Sequence, residues 1–185
     1  MSWIQQIDFM ILEWIQSHLQ GAALDLLMPM ITALGNGGWL FILLALVLLL
    51  SKRYRRQGCA LAVSLLLCLL VGNLFLKPLF ARLRPFEVAG LSELLISSPT
   101  DYSFPSGHTM ASFACAGVFW HYRRDFGRWS VVLLILAALI GFSRLYLYVH
   151  FPTDVLCGAL LGLVFAALAA HLCDLAGACR MQKGR

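Results

Sequence analysis

Apolar residues run through this chain in long unbroken stretches, and the few polar residues sit between those stretches or at their ends. Gln57 to Leu76 gives 20 residues without a charge, the length at which a helix crosses a hydrocarbon core of about 30 Å. The charge-free stretch from Leu26 to Ser51 is longer, 26 residues. Leu34-Gly35-Asn36-Gly37-Gly38 interrupts it with residues that break helices and form turns, which predicts two helices, Ala22 to Leu34 and Trp39 to Ser51. Further spans are expected over Ser106 to His121, Trp129 to Tyr146 and Thr153 to Cys173. The pattern thus predicts an all-α, polytopic membrane protein with six transmembrane helices.

Ahead of these, Trp3 to Leu19 places Ile4, Ile7, Ile11, Trp14 and Ile15 at helical spacing, with Gln5, Gln6, Glu13 and Gln16 elsewhere. That pattern fits an amphipathic helix lying in the membrane interface, and equally the extended start of the first span. Its acidic residues and lack of Lys or Arg argue against strong attraction to anionic lipid. The chain divides accordingly into an N-terminal helix over 1–20, a membrane domain over 21–175 and a tail over 176–185.

Composition excludes a soluble domain. Of 185 residues, 61% are hydrophobic and 12% charged, against roughly 45–50% and about 25% in soluble proteins, and mean hydropathy is +0.82. No basic residue precedes Lys52, so insertion is expected from the internal spans rather than from a signal peptide. Cys59, Cys68, Cys115 and Cys157 lie inside apolar runs, and no C-x-x-C pair is present for zinc or redox chemistry. Small packing residues in helices fit them better.

The net charge of +5 is informative through its placement. Alternating sides across six spans puts Lys52, Arg53, Arg55, Arg56, Arg123, Arg124, Arg128, Arg180, Lys183 and Arg185 together, so that side is expected to be cytoplasmic. An even number of spans places both termini there as well. The other side receives Lys77, Arg82, Arg84 and Arg144. Ionisable groups at membrane depth are costly and mark functional sites. On that outer side stand Lys77 and Arg84-Pro85, then Pro105-Ser106-Gly107-His108, then Ser143-Arg144 with His150 and Asp154.

These eleven positions, Lys77-x6-Arg84-Pro85, Pro105-Ser106-Gly107-His108 and Ser143-Arg144-x5-His150-x3-Asp154, resemble the three-part signature of the type-2 phosphatidic acid phosphatase superfamily without a departure. The likeness extends to the six-span layout over about Leu24 to Leu172. It implies hydrolysis of a phosphate ester through a phosphohistidine, with no metal and no other cofactor. His150 is then the nucleophile, Asp154 the partner of its other ring nitrogen, and His108 the acid that protonates the leaving group and then activates water. An imidazole titrating near neutrality suits both of those steps. Lys77, Arg84 and Arg144 supply charge to a transition state whose negative charge is spread over three oxygens. Ser106 and Gly107 open a helix, where backbone N–H groups receive anions. Arg82 matches no motif; it reads as an addition to the positive field or as a solvated loop residue. His18, His121 and His171 read as structural.

The resemblance leaves the lipid open: undecaprenyl pyrophosphate, phosphatidylglycerophosphate and phosphatidate all fit, with membrane lipids as surroundings and no nucleic acid as partner. An outward-facing site favours undecaprenyl pyrophosphate, since that carrier is released outside. Leu91, Leu94, Leu95 and Ile96 make the connection from Phe86 to Phe104 apolar enough to line the approach. A silent membrane scaffold, a small transporter and a vanadium haloperoxidase-like activity are the competing readings; an intact nucleophile, acid and phosphate clamp argues against the first two, and a lipid-embedded site against the third.

Overall fold

The computed structural model describes residues 3–183, with side chains described as far as Gly177. Its regular elements are all helical among those residues. Helix α1 covers Trp3–Leu19, α2 Ala22–Ala33 and α3 Trp39–Leu50. Helix α4, Arg55–Leu67, runs on through a wider π-helical stretch, Cys68–Leu76, into the short α5, Lys77–Phe80. Then follow α6 (Pro85–Ala89), α7 (Gly107–His121), α8 (Arg123–Phe126), α9 (Trp129–Tyr146) and α10 (Pro152–Lys183).

Helix α7 is the centre of the bundle, packed against α10, α9 and α4, with Met110, Ala114, Cys115 and Val118 wholly buried. Helix α10 approaches it closely because its facing residues have no side chain to intervene. A Cβ at Gly158 would stand 2.8 Å from the Ser106 carbonyl oxygen, and one at Gly162 2.3 Å from that of Met110. Small residues at such crossings are what allow membrane helices to pack by backbone contact.

Four helices are long and apolar enough to cross a membrane: Ala22–Leu50, Arg55–Ala89, Trp129–Tyr146 and Pro152–Gly177. The expectation was six. Helices α2 and α3 have 12 residues each, about 18 Å at the usual rise, so neither reaches across the core alone. Positive φ at Gly37 (57°) and Gly38 (69°) bends the run there without reversing it, and Ala22–Leu50 forms one candidate span. Helix α7, with 15 residues, is about 22 Å long and short of the same length.

The contacts at each end of the bundle fix where the elements start and stop. Helix α1 lies across one end: Gln16 Nε2 donates to the Tyr146 carbonyl (2.8 Å), and Phe9 packs edge-on against Phe151 at 5.2 Å. Helix α2 starts at that same end, where the Tyr146 hydroxyl donates to Asp25 (2.6 Å). Helix α1 is therefore an element of its own, not the beginning of the first span. Its outward face carries Trp3, Ile4, Ile7, Met10, Ile11 and Trp14, while Asp8, Leu12 and Ile15 are buried against the bundle.

Helix α3 finishes at the opposite end. There Tyr54 stacks on Phe126 at 5.5 Å, Gln57 donates to Asp125 (2.7 Å), and Asp174 of α10 meets Arg56, His121 and Tyr122. Among the described residues, α1 lies at one end of the bundle and Asp174 of α10 at the other. The expected 176–185 tail continues α10 through Lys183, and its last two residues lie outside the described part.

Candidate active site

The end of the bundle that carries α1 is where the signature residues meet, each placed by a local interruption of helix. After α5, Ala81 in a left-handed conformation (φ 44°) turns the chain sharply, so that Lys77 and Arg84 both point back inward and are buried. Glu87 caps α6 by accepting from the Arg84 amide (2.7 Å). Ser106 begins α7, and its amide donates to the Asp154 carbonyl (3.1 Å), tying the starts of α7 and α10 together. Arg144 comes from the last turn of α9. Pro152 opens α10, and Asp154 in its first turn accepts from the Phe151 amide (2.9 Å).

Lys77, Arg84, Gly107, His108, Arg144 and His150 all border one cavity of about 950 Å³. The other two expected residues, Ser106 and Asp154, are wholly buried behind it. The Ser106 hydroxyl is within 2.9 Å of that of Thr109, and its amide is taken by Asp154, so Ser106 braces the site while Gly107 lines it. A Cβ on Gly107 would stand 2.9 Å from Asn73 Oδ1, which explains glycine at that position.

His150 Nε2 accepts from Arg84 Nη1 at 3.2 Å. That places the proton on Nδ1 and turns the Nε2 lone pair, engaged by Arg84, toward the cations. Burial, reinforced by the charges of Arg84, Arg144 and Lys77, holds the His150 imidazole well below its usual range, which favours the neutral ring. Asp154 Oδ2 lies 3.7 Å from Nδ1, too long for a direct hydrogen bond. The Ser103 hydroxyl stands between, 3.4 Å from Nδ1 and donating to Oδ2 at 2.5 Å. Asp154 Oδ1 accepts from Arg82 Nη1 (2.5 Å), so Arg82 is part of the site's support rather than a solvated loop residue.

The cations are held by a carboxylate that belongs to none of the motifs. Asp101 pairs with Lys77 and, through Oδ1, with Arg84 Nη2 at 2.6 Å. Burial opposes its ionisation, yet the bonds and charges of Lys77 and Arg84 outweigh it and hold its carboxyl at about 2. Arg144 donates from Nη1 to Thr32 (2.6 Å). Its Nε is one of two buried side-chain polar atoms without a partner among the described residues, a donor of the kind that an oxyanion satisfies. His108 Nε2 donates to Asn36 Oδ1 at 2.9 Å, and the absence of a side chain on Gly35 makes room for the His108 ring.

Asn36, Asp101, Ser103 and Arg82 are therefore site residues that the motifs did not name. The Leu34 to Gly38 segment was legible only as a helix breaker; its second role, bracing His108, depends on a contact 72 positions away. In the loop before α7, Leu94 and Ile96 pack against the buried cluster around Tyr146, while Leu91 and Leu95 are exposed.

Known proteins resemble this chain in sequence and in fold. An undecaprenyl-diphosphatase of Sulfolobus acidocaldarius is 34% identical over 157 residues, covering 84% of this chain and 74% of that protein. The crystal structure of Aquifex aeolicus LpxE is similar with a TM-score of 0.74 at 28% identity, over 87% of this chain and 93% of that one. A PAP2-type phosphatidylglycerolphosphate phosphatase of Bacillus subtilis shares the fold, with a TM-score of 0.77 at 24% identity over 94% and 88% of the two chains. The family model for the PAP2 superfamily matches residues 57–176, a range that contains all three signature motifs and more than half of the sequence, and the chain belongs to that superfamily.

Proposed function

We propose that the protein is an integral-membrane phosphatase that hydrolyses a lipid phosphomonoester or lipid diphosphate through a phosphohistidine, without a metal ion. One observation carries this reading. The cavity that borders His150 and the three cations continues as an apolar groove between α3 and the run of α4 into its π-helical stretch, along Ile42, Leu46, Leu49, Leu65, Leu66 and Leu69. A phosphate head joined to a hydrocarbon tail matches a site that is cationic at one end and apolar along the rest.

In this mechanism Arg84 Nη1 turns from His150 Nε2 to the bound phosphate, and the released Nε2 lone pair of neutral His150 attacks phosphorus. Burial, with the charges of Arg144, Arg84 and Lys77, holds His108 far below the near-neutral range expected of it, at about 3 in the ligand-free site, so His108 takes up a proton together with the anionic substrate. The P–N bond forms as the opposite P–O bond breaks, and His108 gives that proton to the departing oxygen. Lys77, Arg84 and Arg144 bind the non-bridging oxygens as charge builds on them, and Asp101 leaves the cations as phosphate arrives. Asp154 stabilises the imidazolium through its Nδ1 side. His108, now neutral, takes a proton from water, which attacks phosphorus, breaks the P–N bond and restores His150.

The basic end, with Lys52, Arg53, Arg55, Arg123, Arg124 and Arg128, is cytoplasmic on this reading. The site then faces outward and α1 lies on the outer surface, its apolar face in the membrane interface. Undecaprenyl diphosphate is the favoured substrate: an outward-facing site meets that carrier where it is released, and the Sulfolobus relative is named for it.

Purified protein in EDTA, offered undecaprenyl diphosphate, phosphatidylglycerophosphate and phosphatidate, tests the proposal. Phosphate release is expected, with the highest kcat/KM on undecaprenyl diphosphate. Release from none of the three contradicts it and returns the scaffold or transporter reading.

A further inference from the structure

Helix α1 lies outside the family match and outside every motif, yet it inserts a carboxylate into the support of the catalytic centre. Asp8 is 1% exposed, on the face of α1 that Leu12 and Ile15 bury against the bundle. Its oxygens accept from Arg82 Nη2 (2.7 Å), the Thr153 amide (3.0 Å) and the Thr153 hydroxyl (2.7 Å). Arg82 carries the connection onward. Its Nη1 donates to Asp154 Oδ1 (2.5 Å) and to the Thr153 hydroxyl (2.7 Å), and its guanidinium lies 4.0 Å over the ring of Phe151, the residue next to His150.

We propose that Asp8 is a positioning residue of the phosphatase centre: it holds Arg82, and Arg82 orients and charges the carboxylate of Asp154. The proposal rests on the reading of His150 and Asp154 given above. Charge explains why all three groups are needed. A buried carboxylate stays ionised only when paired, and Arg82 is the cation that pairs with Asp154. Arg82 alone would also cancel the negative charge that Asp154 offers the imidazolium. Asp8 offsets it: two carboxylates around one guanidinium leave one net negative charge, on the side of His150. Anchoring α1 does not require this arrangement, since Leu12 and Ile15 already bury its inner face.

The test is a set of full-length variants in detergent with a lipid phosphate substrate, reading kcat, KM and thermal midpoint. Asp8→Asn keeps size and removes charge; it is expected to lower kcat about tenfold to hundredfold, the usual effect of losing an outer-shell partner, with KM close to wild type. Arg82→Gln is expected to do the same. Adding Asp8→Asn to Arg82→Gln should lower kcat no further, because both break one link. Leu12→Ala, which weakens the docking of α1 without touching charge, is expected to lower the thermal midpoint and leave kcat unchanged. A wild-type kcat in Asp8→Asn, or losses that multiply in the double variant, would overturn the proposal. If Asp8→Asn does not accumulate as folded protein, Arg82→Gln decides, and wild-type kcat there also overturns it. A wild type inactive on every lipid phosphate would instead remove the underlying reading of the site, a separate result from variants that behave as wild type.

Discussion

The carboxylate of Asp154 stands 3.7 Å from Nδ1 of His150, and the Ser103 hydroxyl occupies the space between them. The link between His150, the proposed nucleophile, and the carboxylate therefore runs through a third residue. A serine there relays the orientation of Asp154 to the ring while leaving the charge of the carboxylate within reach of the imidazolium.

Ser103→Ala removes the relay and leaves the charge. A hydrogen bond to a charged group is worth about 1.5–3 kcal/mol, so kcat should fall roughly tenfold to hundredfold with KM little changed. Asp154→Asn, which removes the charge as well, should cost more than Ser103→Ala. Steady-state kinetics on the two variants check this order, and equal losses would mean that the carboxylate acts only through the serine.

Asp101 pairs with Lys77 and Arg84, so in the proposed mechanism phosphate displaces it. Asp101→Asn should therefore bind vanadate more tightly than wild type, measured as a lower inhibition constant, and should melt at a lower temperature without ligand because Lys77 and Arg84 lose their partner. The sign with pH follows from a carboxyl lowered from 3.8 to about 2. Its stabilisation is present above about 4 and is lost as pH falls toward 2. Thermal melts between pH 7 and pH 3 should accordingly separate wild type from Asp101→Asn most at the upper end. Unchanged vanadate affinity in the variant would contradict displacement.

How much of this was legible in the sequence differs by kind of residue. Lys77, Arg84, His108, Arg144 and His150 stood out because each is an ionisable group at the end of an apolar run, and all five border one cavity. Hydropathy also located the helical runs, but it cannot distinguish a turn that reverses the chain from one that bends it. Gly37 and Gly38 looked like a boundary between two spans and instead bend one. Asp101 and Ser103 sit in a polar loop where a carboxylate or hydroxyl raises no alarm, and their roles come from long-range pairing. Asp8 was the missed signal: it lies four positions before Leu12 on the face of α1 that is buried, and a buried acid carries the same cost as those in the motifs.

His150 should be neutral in the ligand-free protein across the physiological range. Burial and the three neighbouring cations disfavour its charged form, so its proton is lost at a pH well below the ordinary 6.5. Nitrogen-15 NMR of histidine-labelled protein at pH 6 should show His150 as the neutral tautomer protonated on Nδ1. An imidazolium signal from His150 at that pH would contradict the assignment of Nε2 as a ready nucleophile.

The most direct test of the account is to mix wild type and His150→Ala with a lipid phosphate labelled in its terminal phosphoryl group, in EDTA, and quench on the scale of a single turnover under alkaline conditions that preserve phosphohistidine. Wild type should yield labelled protein that decays as phosphate appears, and His150→Ala should yield neither label nor turnover. Labelled protein or sustained phosphate release from His150→Ala would contradict it.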